Sequence, residues 1–196
     1  LSFIPSSSPN SNAFALFVSE TYEYKDLKGV LTDDIKKKVD LFLKALKARN
    51  EKEAISSLDI SDKKKCFVIK IKNKYKNYYF EEIGGTFFTY IKKYKTIHTV
   101  DIHADSLKEN KDKFPKIFSE FIFGFNLKSY TFMKYKTLNK EKVSKKISLK
   151  IITSFKKKIE NEYKYYDAIK EGVFLSRDLV SEPPNVLNPK RYTEEI

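Results

Sequence analysis

The segment HTVDIHAD (residues 98–105) gathers His98, Asp101, His103 and Asp105, the one grouping in the chain whose side-chain types suit metal ligation. Imidazole and carboxylate are donors that can hold a metal ion. On a strand, the period of two puts Asp101, His103 and Asp105 on one face and sends His98 to the other. Successive same-face side chains of a single strand do not converge on a tetrahedral ion without ligands from elsewhere. Ordinary residues at the polar end of a strand are therefore the favoured reading.

Other candidates reduce in the same way. Cys66, the only cysteine, lies inside the apolar run CFVIKI (66–71) and reads as a buried structural thiol, with no disulfide framework in the chain. Glu81 and Glu82 are consecutive, so on a helix they point about 100° apart and form no general acid/base pair. Gly84 and Gly85 are the only adjacent glycines and are not followed by the Lys-Ser/Thr of a phosphate loop. No serine nucleophile elbow is present. Tyrosine and phenylalanine interleaved with lysine in KYKNYYF (74–80) and YTFMKYK (130–136) could stack single-stranded bases, although core and boundary aromatics account for them more simply. Residue chemistry thus assigns no catalytic, cofactor-binding or metal-binding residue in this chain.

The elements that would position any site follow from length, composition and periodicity. At 196 residues and 23.0 kDa the chain suits one domain and the beginning of something else. Sixteen Phe and thirteen Tyr supply a core. The net charge of +13 invites a nucleic-acid reading. Of 39 basic residues, however, only Arg49, Arg177 and Arg191 are arginine, whereas base recognition favours the planar guanidinium. The lysines are spread through every segment and read as solvated faces, with a nucleic-acid surface the minor alternative. No window approaches the ~18 apolar residues of a membrane span and no signal-peptide pattern opens the chain, so it reads as soluble, while the lack of a disulfide framework favours a reducing, cytoplasmic setting.

Run 13–18 is continuous and apolar, as in strands covered on both faces, and the apolar run CFVIKI (66–71), interrupted only by Lys70, reads as a second buried strand. Residues 97–103 and 147–152 also read as strands, and a short strand is expected near Ala54 and Ile55. Helical spacing marks residues 31–47, 77–94, 114–130 and about 157–180. The two glycines inside the second helix, each costing about 1 kcal/mol relative to alanine, imply close packing on a neighbouring backbone. Pro183 and Pro184 end the last helix and force Glu182 into an extended conformation. Alternating strands and helices predict an α/β fold, a mostly parallel sheet with helices on both faces.

The end of the chain carries the most specific pattern. AIKEGVFLSRDLVSEPPNVLNPKRYTEEI (168–196) resembles the entry to the catalytic domain of the leucyl aminopeptidase (cytosol aminopeptidase) family, through Arg177, Asp178, Leu179, Pro184, Asn185 and Pro189. Upstream, EEIGGTFF (81–88) is similar to that family's Leu-Gly-Gly helix. GFNLKSYTFMKYKT (124–137) is similar to its Ser-Tyr-x-Phe-x-x-Tyr-Lys-Thr pattern. The sequence departs at Ile71-Lys72-Asn73, where members often carry a Gly-Leu-Gly loop.

The resemblance implies a macro-domain-like N-terminal α/β domain (1–153), a long linker helix (154–182) and the start of a zinc-dependent catalytic domain (183–196). Family members are cytosolic hexamers that remove N-terminal residues from peptides with two divalent metal ions, zinc or manganese. The family's metal ligands and catalytic residues lie beyond the position matching Ile196, so this stretch is expected to be inactive and metal-free. Arg177 and Asp178 are expected to fix the inter-domain angle, or else to play a local surface role. A stand-alone macro-like or basic module binding a nucleotide or nucleic acid is the second reading. The absence of a glycine-rich phosphate loop weighs against its nucleotide form.

Overall fold

The computed structural model describes residues 2–4, 11–25, 31–107, 112–137 and 146–195. Its strands are β1 (Ser2–Ile4), β2 (Ala13–Val18), β3 (Ile55–Ser61), β4 (Lys64–Lys70), β5 (Thr99–His103) and β6 (Ser148–Ile152). Its helices are α1 (Asp33–Ala48), α2 (Tyr79–Lys92), α3 (Phe114–Ser129), α4 (Lys156–Ser181) and α5 (Pro189–Glu195). The Ser/Pro/Asn-rich stretch 5–10 and the basic connector 138–145 lie outside the described residues.

The strands form one six-stranded sheet in the order β1-β6-β5-β2-β4-β3. All its neighbours pair in parallel except β3, which runs antiparallel along β4 at the edge. Each buried face follows from the strand period. In β2, Ala13, Ala15 and Phe17 enter the core beneath α2 and α3, while Phe14, Leu16 and Val18 enter the core beneath α1. Such a strand must be apolar throughout. On α1, Val39, Leu43 and Leu46 supply the buried stripe; Asp33 and Asp34 in the first turn and Lys47 in the last suit the helix dipole.

Two strands went beyond the sequence reading. β3 is seven residues long instead of a short strand near Ile55, because its register is set by pairing with β4 and not by its own weakly alternating ISSLDIS. β1 has three residues, too few to show any period, and exists through pairing of Ser2, Phe3 and Ile4 with Lys150, Ile151 and Ile152.

The tightest packing lies between α2 and α3. A Cβ built at Gly84 would stand 2.0 Å from the backbone oxygen of Phe121, and one at Gly124 would stand 1.9 Å from that of Glu81. Only glycine fits at either position. Gly85 is different: its nearest neighbour, the Gly124 oxygen, would be 3.6 Å away, an ordinary contact. The expected close approach therefore holds for the first glycine of the pair and not for the second. Phenylalanine rings fill the space between these helices and the sheet, with Phe17 against Phe121 at 5.1 Å and Phe88 against Phe125 at 5.2 Å.

Gly84→Ala or Gly124→Ala should each destabilise the fold by about 3 kcal/mol in urea unfolding, the upper range for forcing atoms into a packed interior. Gly85→Ala should instead stabilise it by about 0.5–1 kcal/mol through helix propensity.

Candidate functional site

The ligand-like cluster does not assemble. β5 stops at His103 and the chain enters a 3-10 turn, Ala104–Ser106, so Asp105 leaves the strand before the period of two can align it with Asp101 and His103. Its carboxylate instead accepts hydrogen bonds from Thr153 Oγ1 (2.6 Å) and the Ser154 amide (2.8 Å), tying the end of β5 to the approach to α4. His98 is exposed because it precedes β5; Val100 and Ile102, which share its phase, are buried. Asp101 and His103 are each 1% exposed, so they are interior groups and not the polar end of a strand. Among the described residues no three His, Cys, Asp or Glu side chains come together as a metal site. The residues present therefore do not fit the two metal ions that the family resemblance implies.

His103 packs edge-on against Phe14 at 5.8 Å. Burial, reinforced by the charge of Lys64 and opposed by that of Asp105, pushes its imidazole down to about 4. Burial also pushes the Cys66 thiol far up, so it is no nucleophile.

The residues that do converge lie where α4 ends. Pro183 follows Glu182, whose φ of −72° and ψ of 139° are extended, as a residue before proline requires. One turn earlier, the Arg177 guanidinium donates through Nη1 to the Leu127 carbonyl in the last turn of α3 (2.7 Å), and it covers the Tyr130 ring at 5.4 Å. Tyr130 in turn donates its hydroxyl to Asp178 Oδ1 (2.7 Å). Glu182 accepts from both Lys134 and Tyr135, and these bonds hold its carboxyl below the usual carboxylate range. Its side chain is only 8% exposed.

The segment 130–135 thus clasps the last turn of α4 at Asp178 and Glu182. Beside the clasp, Phe132, Met133, Leu179, Val186 and Leu187 border a cavity of about 240 Å³. Sequence reading found Arg177 and Asp178 but did not single out Glu182, Lys134 or Tyr135 as partners. Their pairing spans 47 or 48 residues and leaves no local signal.

No family model matches the chain. A protein named "Probable cytosol aminopeptidase" from Agrobacterium fabrum is 41% identical over 80 residues, which is 39% of this chain and 16% of that protein. A mutant of tomato leucine aminopeptidase superposes over 98% of this chain and 40% of its own, with a TM-score of 0.72 and 17% identity. The resemblance to the cytosol aminopeptidases holds in sequence and in fold. The chain therefore spans well under half the length of these aminopeptidases. The macrodomain of Thermus aquaticus DarG also shares the fold, with a TM-score of 0.53 and 10% identity over 78% of this chain and 97% of its own. Macro-domain-like α/β topology followed by a long helix is what the sequence predicted.

Two tests follow from this geometry. Because native His103 titrates near 4 and an unfolded histidine near 6.5, the unfolded chain takes up this proton first as pH falls. The stability contributed by neutral His103 is complete above about pH 7 and is lost as pH falls from about 6.5 towards 4. Urea unfolding should show a loss of about 2 kcal/mol between pH 7 and 5 that His103→Phe abolishes. Arg177→Met, which keeps the stem and removes the donors, should accelerate amide exchange in the last three turns of α4 about tenfold, with the sheet core unchanged.

Proposed function

We propose that this chain is the non-catalytic N-terminal part of a cytosolic two-metal leucyl aminopeptidase. In this reading residues 1–153 are the α/β domain, 154–182 the linker helix and 183–196 the first residues of the catalytic domain. The parent removes N-terminal residues from peptides, works as a hexamer and holds two zinc or manganese ions on residues outside this stretch. The α/β domain serves assembly and orientation.

One observation carries the reading: Arg177, Asp178 and Glu182, at and near the family-like pattern, each contact the segment from Leu127 to Tyr135, which carries the second family-like pattern. Two stretches noticed separately for the same resemblance are thus bonded to one another. This clasp bonds Arg177 and Asp178 to residues 50 and 48 positions earlier in the chain, which supports the inter-domain reading over the local surface one. Its partners lie in α3 and in the segment after it, so it sets the direction in which the chain leaves the α/β domain.

This chain supplied with Zn²⁺ or Mn²⁺ should release no p-nitroaniline from leucine p-nitroanilide above the buffer rate. A polypeptide in which this chain is followed by a catalytic domain should do so, and Glu182→Ala in that longer protein should lower kcat/KM by about threefold to tenfold through misorientation. Metal-dependent turnover by residues 1–196 alone would refute the division of labour.

A further inference from the structure

α4 meets α3 and the segment after it along one face. Ile159 and Tyr163 are buried there, Tyr166 and Phe174 lie against Phe123 and Tyr130, and Arg177 reaches the Leu127 carbonyl. A second face points outwards. At 100° per residue, Tyr165, Ile169, Gly172, Ser176 and Val180 fall within about 80° of one another. Tyr165 touches Tyr166 edge-on at 5.5 Å and is still 68% exposed, Ile169 is 37% and Val180 88% exposed. Ile169, Gly172, Val173, Ser176 and Val180 border a groove of about 620 Å³.

This face is uncharged. Charged residues make up 33% of the chain, yet none between Lys164 and Glu182 falls in the sector. Ser176 donates its hydroxyl to the Gly172 carbonyl at 2.9 Å, so its polar group is already bonded within the helix. Gly172 itself has no steric reason inside the chain. A Cβ at Gly84 or Gly124 would collide with the neighbouring helix, whereas one at Gly172 would meet nothing within 4 Å. In a helix interior such a glycine lowers stability relative to alanine.

The charges of α4 are ordered against its dipole. Residues 156–164 carry four lysines against Glu160 and Glu162, and residues 165–182 carry four carboxylates against Lys170 and Arg177. Lys157, Lys158 and Lys164 are exposed, and Lys170 serves both Asp167 and Glu171, so the surplus at each end remains. Helix dipoles favour the reverse order, which α1 shows with Asp33 and Asp34 in its first turn and Lys47 in its last. A second α4 lying antiparallel would set the basic start of each helix beside the acidic end of the other and oppose the two dipoles.

We propose that the outward face of α4 is the contact for a second copy of this chain, the two helices crossing antiparallel about a two-fold axis near Gly172. The face is self-complementary in that arrangement, as a two-fold contact requires: Tyr165 lies across from Val180 of the second copy, and Ile169 across from Ser176. Gly172 lets the two backbones approach as Gly84 and Gly124 do between α2 and α3. The contact gives a surface to the assembly role proposed above. Its test reads association of this chain alone, so its failure leaves the aminopeptidase reading standing.

Sedimentation velocity of the whole chain from about 5 to about 500 µM should show a reversible monomer–dimer equilibrium, weak because one helix pair is a small interface. Gly172→Leu should weaken association at least about tenfold by holding the helices apart. At a concentration where the chain is monomeric, the same change should raise the melting temperature by about 2–3 °C through helix propensity. A glycine needed by the fold itself would lower it. Orientation is read by disulfide cross-linking at high concentration: Tyr165→Cys and Val180→Cys should each fail to cross-link with itself and should cross-link when the two variants are mixed. Self-cross-linking of each variant would mean parallel helices and overturn the arrangement. A chain that stays monomeric throughout, or a dimer indifferent to Gly172→Leu, overturns the contact. Protection of the Val180→Cys thiol from alkylation in a longer, monomeric polypeptide carrying a catalytic domain would also overturn it, by assigning the face to that domain.

Discussion

The fold depends on how closely α2 and α3 approach. Gly84 and Gly124 face each other's backbone so tightly that a methyl group at either would overlap a carbonyl oxygen. That contact fixes the height of both helices above the sheet, and so the thickness of the layer that Phe17, Phe87, Phe121 and Phe125 must fill. Packed interiors tolerate little change in such a layer. It also fixes Leu127, at the far end of α3, whose carbonyl receives Arg177. The position of the far end of α4 is therefore referenced to the sheet through two helices held by a pair of glycines.

Much of this was legible in the sequence where the signal is local and strong. The run 13–18, and 66–71 with only Lys70 interrupting it, suit strands covered on both faces. The helices through Phe87 and Phe121 showed their spacing over several turns. The break at Pro183 follows from sterics alone. What escaped was set by distant partners. β1 is a strand only because β6 lies beside it, and β3 owes its length to β4.

Gly124 illustrates the same limit from the other side. Gly84 stood out in the sequence because a neighbouring glycine drew attention to it, whereas Gly124 sits singly within FIFGFN. Its necessity is visible only when Glu81 is brought against it. In the cluster His98 to Asp105 only the shared face failed, because strand phase does not extend two residues past the point where β5 turns.

The way α4 is held differs from the way α2 and α3 are held. Over 26 residues only Ile159 and Tyr163 are buried, both in the first third of the helix. From Tyr163 onwards the attachment to α3 and the segment after it adds polar bonds to two ring contacts: Asn126 to the Tyr163 hydroxyl at 2.6 Å, Tyr166 to Glu120, Arg177 to the Leu127 carbonyl and Tyr130 to Asp178, beside Phe123 against Tyr166 at 5.4 Å and Tyr130 against Phe174 at 5.2 Å. Such partly exposed bonds contribute little individually, but each accepts a narrow range of distances and angles. A helix anchored by burial at one end and by directional bonds along the rest has its tilt specified without a large stabilisation of any one angle. The sheet and its two close-packed helices therefore carry the stability, while α4 carries the geometry. Changes in the polar ladder would then alter the tilt of α4 before they alter whether the sheet and its two close-packed helices fold.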